Sequence, residues 1–230
     1  MRLLAKTIAL WLVVMLYTCS GMAYAQDEGY PNVIFNGNFE NGLSQWNEVV
    51  VNAPLGGVET IEEDGEHLMH VYLGATPANA LRSVCAFNNT AEYDDMAFEF
   101  EMKLRTFETG TAGLILGYQG SSNFYSLSWI GNKMCIVKNA YTMKPDLVAS
   151  NWSVSKTQIT GWNHYRIEVK KNTISVYLNH SEQPVYTYTD QSVKQISGKV
   201  GFMVTGDWVR SVNMLVRSGI KIWTGNADGI

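Results

Sequence analysis

The sequence predicts an all-β fold of antiparallel strands stacked as a sandwich, and three observations carry that prediction. Residues 96–105 (MAFEFEMKLR) alternate without a break, Met96, Phe98, Phe100, Met102 and Leu104 on one side and Glu99, Glu101, Lys103 and Arg105 on the other. That period of two is the mark of a strand buried on one face. The same rule gives a hairpin in which Tyr165, Ile167 and Val169 alternate with Arg166, Glu168 and Lys170, a turn follows at Lys171-Asn172, and Ile174, Val176 and Leu178 resume the apolar face. Glycine, asparagine and aspartate separate most of the other apolar runs, and no window of about eleven residues keeps a helical period.

Taken in order, the chain opens on a segment unlike the rest. Arg2 and Lys6 precede the apolar run 8–17 (IALWLVVMLY), and Ala23-Tyr24-Ala25 supplies a small-x-small cleavage site. This is the pattern of a secretory signal peptide over residues 1–25, so a secreted or periplasmic, extracellular location is expected. The run is about half the length a bilayer-spanning helix needs, and no later stretch does better, so no membrane insertion is expected. Cys19 follows Leu-Tyr-Thr and departs from a lipidation motif, in which a small residue usually precedes the cysteine. The formal charge is 17 − 21 = −4 for the whole chain and, without Arg2 and Lys6, 15 − 21 = −6. That balance argues against nucleic acid as a partner. At 46% hydrophobic the chain is too apolar for disorder, and its 3 cysteines are too few for a disulfide scaffold.

Strand candidates follow at Val33–Phe35, Glu48–Val51, Leu68–Leu73, Leu81–Phe87, Gly113–Tyr118, Phe124–Ile130, Lys133–Lys138, Val185–Thr189, Lys199–Val204 and Val212–Val216. No proline-rich, glycine/serine-rich or charged linker divides residues 26–230, so one domain is expected there. Cys85 and Cys135 both fall in strand candidates. A disulfide and two buried free thiols are both open readings. No CxxC or HxxxH pair suggests structural zinc.

Several segments in succession carry a family resemblance: FNGNFENGLSQW (35–46), AGLILGY (112–118), NFY (123–125), WNHYR (162–166) and GKVGF (198–202). In that order they resemble the concanavalin A-like lectin/glucanase superfamily, including its laminin G-like and non-catalytic carbohydrate-binding members, from about Asn32 to Arg217. The resemblance implies an antiparallel two-sheet jelly-roll β-sandwich. Two departures stand out. Gly117 sits where such domains often carry a sugar-binding arginine, and Val212-Asn213-Met214-Leu215-Val216 replaces the usual "fDNv", removing an aspartate associated with calcium. Glu40 and the carbonyls around Asn38 are the oxygen ligands left for a structural Ca2+, which takes six to eight.

Catalysis finds little support. Retaining glycosidases of that superfamily place their acids on one strand as ExDxE or ExDxxE. Only Glu62, Asp64 and Glu66 meet the shorter spacing, and Glu63 and Gly65 between them suit a solvated turn better than a core-packed strand. Glu99 and Glu101 share a face that continues into Lys103 and Arg105, as a charge-balanced outer face does. His67 and His70 have an odd spacing that puts them on opposite strand faces. His164, at a strand start, is a rim residue or a ligand contact.

Binding finds more. Period-two sorting places Tyr118 with Leu114 and Leu116, and Tyr125 and Trp129 with Leu127, in the core. The opposite face carries Ile115, Gly117 and Gln119, beside Phe124, Ser126 and Ser128, a small and polar surface suited to a sugar ring. Trp152 and Trp208 fall in loop-like stretches (SNWSV, TGDWVR) and are offered for stacking. Sequons at Asn88, Asn151 and Asn179 are about as many as chance gives. The expected function is therefore non-catalytic binding of a glycan or polysaccharide, with Gln119, Phe124, Ser126, Ser128, Trp152 and Trp208 as contacts. A glycoside-processing enzyme of the same fold and a protein-binding adhesion domain stand as alternatives.

Overall fold

A computed structural model describes residues 32–51, 53–75, 82–89, 92–107, 111–120, 123–130, 133–138, 146–153, 159–206 and 211–224. The leader expected at residues 1–25, and Trp208, lie outside the described residues. Sixteen strands follow one another: β1 (Asn32–Gly37), β2 (Trp46–Val51), β3 (Gly56–Glu63), β4 (Glu66–Leu73), β5 (Arg82–Asn88), β6 (Met96–Phe107), β7 (Thr111–Gly120) and β8 (Asn123–Ile130). The second half holds β9 (Lys133–Lys138), β10 (Asp146–Ser153), β11 (Asn163–Lys170), β12 (Thr173–Leu178), β13 (Tyr186–Thr189), β14 (Lys199–Gly206), β15 (Val212–Arg217) and β16 (Ile220–Thr224). Among the described residues β3, β10 and β16 were not foreseen, because GGVETIEE and DLVASNWS are rich in glycine or polar residues and IKIWT is short.

The strands pair antiparallel in two sheets. A nine-stranded sheet runs β13-β12-β11-β6-β15-β4-β3, with β16 joining β6 to β1, and a seven-stranded sheet runs β10-β9-β8-β7-β14-β5-β2. The two sheets face each other across one apolar core, as the jelly-roll expectation requires. Strand β6 sorts as its alternation demands: Phe98, Phe100, Met102 and Leu104 point inward and are at most 2% exposed.

Aromatic rings lock the layers. Phe202 of the seven-stranded sheet meets the edge of Phe100 of the nine-stranded sheet at 5.3 Å and 83°. Trp129 meets Tyr165 in the same way at 5.3 Å and 79°. Such pairs add about 0.5–1.5 kcal/mol to the burial itself. Tyr125 and Trp129 are thus in the core, as their spacing predicts.

A charged cluster bridges the sheets at one end. The Asp190 carboxylate, 6% exposed, accepts bonds from Tyr125 Oη at 2.5 Å, Lys138 Nζ at 2.8 Å and Ser192 Oγ at 2.6 Å. Burial alone would raise its pKa, but the bonds from Lys138, Ser192 and Tyr125 outweigh it and hold the carboxyl well below the usual range. Burial, with help from Asp190, pushes the Tyr125 hydroxyl up to about 12.

The sheet order also decides between the two cysteine readings. Cys85 on β5 and Cys135 on β9 are both buried, and no disulfide joins them. Strands β14, β7 and β8 lie between them. Four interstrand steps place them about 19 Å apart, well beyond the span of a disulfide.

Candidate functional site

The strand whose exposed face matters most for the expected sugar surface is β7, and it has no such face over most of its length. Residues 112–117 are buried throughout. Ala112, Leu114 and Leu116 enter the core between the sheets, while Ile115 joins a second apolar cluster with Cys85, Phe87, Phe124 and Met203 on the other side of the seven-stranded sheet. Phe124 is 1% exposed, and Ser126 and Ser128 are 0% exposed, their hydroxyls 2.7 Å apart and bonded to each other.

A bulge changes the rest of the strand. Pairing with β14 slips between Lys199 and Gly201, opposite Gly117, whose φ of 61° belongs to the left-handed region that glycine tolerates best. Tyr118 therefore leaves the face of Leu114 and Leu116, where simple alternation puts it. Its ring packs on Phe87 at 4.3 Å and Phe124 at 5.7 Å, in the second cluster. Gln119 is exposed, but its amide donates to the Ser197 carbonyl at 3.0 Å and accepts from Asn123 at 2.7 Å. Trp152, read from sequence as a loop residue, lies within β10 opposite Met134. A polar run such as SNWS looks like a loop until a ladder partner is known.

The polar concavities lie on the outer face of the nine-stranded sheet. The β15–β16 turn, Arg217-Ser218-Gly219, is its organising element. Gly219 has a φ of 92°, which a side chain would strain. The turn is pinned by Gly219 N–H to Gly37 O at 2.8 Å, by Ser218 Oγ donating to His67 O at 3.0 Å, and by Phe39 N–H donating to Ser218 Oγ at 3.2 Å. On one side lies a cleft of about 310 Å³ lined by Glu40, Gly65, Glu66, His67, Arg217 and Ser218. On the other lies one of about 280 Å³ lined by Glu99, Phe100, Glu101, His164, His180, Ser218, Gly219 and Lys221. The two meet at Ser218.

Fixed pairs line this groove and the surface beside it, where Glu63, Lys103 and Trp162 lie. Arg217 donates from Nε to Glu66 at 2.9 Å and from Nη1 to Glu101 at 2.7 Å, and its guanidinium lies 4.3 Å from the Trp162 ring centre. Burial lowers the pKa of Arg217, but Glu101 and Glu66 more than offset it, so its charge is secure. Lys103 reaches the same indole at 4.7 Å and Glu63 at 3.2 Å. His164 bonds Glu99 through Nε2 at 2.9 Å, and its ring stacks on His180 at 3.9 Å. His164 Nδ1 is buried with no hydrogen-bond partner. His180 is held in place by its own turn, where Asn179 and His180 have φ of 50° and 62° and Asn179 Oδ1 accepts the His164 N–H.

Glu62 is the penultimate residue of β3, Asp64 sits with Gly65 in the turn, and Glu66 opens β4, so the three acids are spread over a strand end, a two-residue turn and a strand start. Glu99 and Glu101 do lie on the charge-balanced outer face. Glu40 is exposed at the rim of the larger cleft. The guanidinium of Arg217 lines that cleft too and already holds Glu66, so the donor set does not fit an all-oxygen calcium shell. Among the described residues no group of three or more His, Cys, Asp or Glu is placed to hold a metal. Asn88 is 0% exposed and accepts from Tyr93 Oη at 2.9 Å, which leaves its sequon inaccessible in the folded state. Trp162, His180, Arg217 and Lys221 were not singled out from the sequence as site residues. They converge from chain positions far apart, and local spacing carries no signal of that.

No protein-family model matches the chain, and no curated protein does. Solved structures do. A Bacillus subtilis protein of unknown function with a galectin-like fold aligns at a TM-score of 0.60 and 10% identity, covering 85% of this chain and 97% of that one. The GH16 protein of the Bacteroides ovatus mixed-linkage glucan PUL, solved with its G4G4G3G product, aligns at 0.58 and 10%, covering 82% and 99%. A Bacillus subtilis carbohydrate-binding module aligns at 0.52 and 12%, covering 79% and 97%. The chain therefore has the concanavalin A-like jelly-roll fold.

Proposed function

We propose that this protein is an exported, non-catalytic binder of a glycan or polysaccharide, and that the glycan lies in the groove over the β15–β16 turn. One observation carries the reading: two clefts meet at Ser218, their walls include Arg217 paired with Glu66 and Glu101 and His164 paired with Glu99, and the Trp162 indole lies beside them against Arg217. Such pre-oriented donors and acceptors suit a ligand made of hydroxyl groups, and they lose little side-chain entropy when it binds. Two of the similar structures, the glucan-complexed protein and the carbohydrate-binding module, are sugar proteins by description, which supports the ligand class. The leader-like segment at residues 1–25 supports export.

The strands themselves support binding without turnover. β5, β7, β8, β9 and β14, the centre of the seven-stranded sheet, contain no aspartate or glutamate. In the groove, Glu99 is bonded to His164 and Glu101 to Arg217. A carboxylate pair free to act as acid and nucleophile is the requirement for glycoside cleavage.

The test is a glycan array and affinity electrophoresis on soluble polysaccharides with the wild type, His180→Ala and Lys221→Ala. Binding by the wild type that falls about tenfold or more in either variant is expected, on the scale of one lost charge-assisted bond. Trp152→Ala and Trp208→Ala in the same screen test the two tryptophans that the sequence offers. Loss of binding only in those two would move the site, and release of reducing sugar would overturn the non-catalytic reading.

A further inference from the structure

The four large apolar side chains most exposed among the described residues are Val49 at 40%, Val50 at 42%, Leu55 at 58% and Val185 at 36%. Three of them sit on or just after β2, the edge strand of the seven-stranded sheet. Proteins usually blunt such an edge with a lysine, a proline or a bulge. Residues 49–51 are Val-Val-Val, and the β2–β5 register runs from Trp46 to Val51 without a shift. The neighbouring edge strand, β3, is guarded, because the Glu48 carboxylate accepts the Val58 N–H at 2.7 Å.

The ladder shows which groups of β2 are open. Asn89 N–H donates to Gln45 O at 2.9 Å, so residues 45 and 89 form a hydrogen-bonded pair. By alternation Asn47, Val49 and Val51 bond to β5, and Glu48 and Val50 turn their N–H and C=O outward. Among the described residues no hydrogen bond from outside the ladder reaches those backbone groups.

We propose that β2 is a dimerisation edge, pairing antiparallel with β2 of a second copy about a two-fold axis through Val49. Outward groups must meet outward groups, so the allowed registers set Glu48 opposite Glu48, Glu48 opposite Val50, or Val50 opposite Val50. The first faces two carboxylates, and the third brings Pro54, which has no N–H, opposite Trp46. The middle register has neither fault. It gives two hydrogen-bonded Glu48–Val50 pairs around a central Val49–Val49 contact, and Glu48 keeps its bond to Val58. The unshifted valine edge is its own complement, because the two-fold axis sets Val49 against Val49 and Glu48 against Val50.

The close central pair puts the two Val49 Cα atoms about 4.5 Å apart, within disulfide range. Sedimentation of the wild-type chain at tens of micromolar is expected to show dimer. Val49→Lys, at a position 40% exposed that leaves the fold intact, is expected to raise the dimer Kd about tenfold or more by setting two like charges opposite each other. Val49→Cys is expected to cross-link in air on a non-reducing gel, well beyond the wild type, which controls for Cys19. Val50→Cys, facing Glu48, is expected to cross-link far less. A wild type that stays monomeric at 100 μM, or equal cross-linking by the two cysteine variants, would overturn the proposal.

Discussion

The outer faces of the two sheets obey the same alternation and end in opposite chemistry. On the seven-stranded sheet Cys85, Ile115 and Met203 are 0% exposed, and even the hydroxyls of Ser126 and Ser128 are spent on each other. On the nine-stranded sheet the corresponding rows carry Glu99, Glu101, Lys103, His164, Arg166 and Arg217, joined across the strands by the Lys103–Glu63 and Arg217–Glu101 ion pairs and the His164–Glu99 hydrogen bond, and along β11 by the Arg166–Glu168 pair. A sheet face buried on both sides holds no place for a polar ligand, whereas a face laced with fixed charges does. The contrast is what moves the candidate site from the surface the sequence favours to the opposite one.

The comparison breaks first at Ile115. Ile115→Lys buries an unpaired ammonium and is expected to cost more than about 4 kcal/mol, read as a large fall in the urea midpoint. Asp190→Ala comes next, at about 3 kcal/mol, because Lys138 and Tyr125 lose their acceptor. This loss depends on pH with a definite sign. The Asp190 carboxyl is held below its ordinary 3.8, so its contribution is complete above that value and fades as the pH falls toward the lower folded value. The gap between wild type and Asp190→Ala in thermal unfolding should therefore narrow in acid. Ser126→Ala is smaller, about 1–2 kcal/mol, from the stranded Ser128 hydroxyl, and Ser126→Ala with Ser128→Ala should recover much of it. Smallest is Ser175→Lys, opposite Glu168 on the nine-stranded face, expected within about 0.5 kcal/mol of wild type. A Ser175→Lys loss as large as that of Ile115→Lys would erase the distinction between the faces.

Much of the architecture is legible in the residues. MAFEFEMKLR declares β6 and its inner row, the Tyr165–Leu178 hairpin declares β11 and β12, and the acids around Gly65 declare their turn. The faces of β7 and β8 are harder. Alternation says that a strand has two sides but not which of them meets water, and the sign of burial on both was the unbroken run AGLILG rather than any polar neighbour. Tyr118 escaped because a bulge at Gly117 reverses the sides of a strand without leaving a distinctive sequence mark. The groove escaped for a different reason: Glu40, Glu99, His164, His180, Ser218 and Lys221 meet only through the order of strands in the sheet.

Cys85 and Cys135 gain an experimental use from the distance between them. Each thiol is sealed on a different flank of the seven-stranded sheet, and neither can be masked by pairing with the other. The rate at which each reacts with a thiol reagent under native conditions is then a clock for the opening of its own strand. Equal rates would mean that β5 and β9 open together in one cooperative event. Unequal rates would show which flank of the sandwich loosens first.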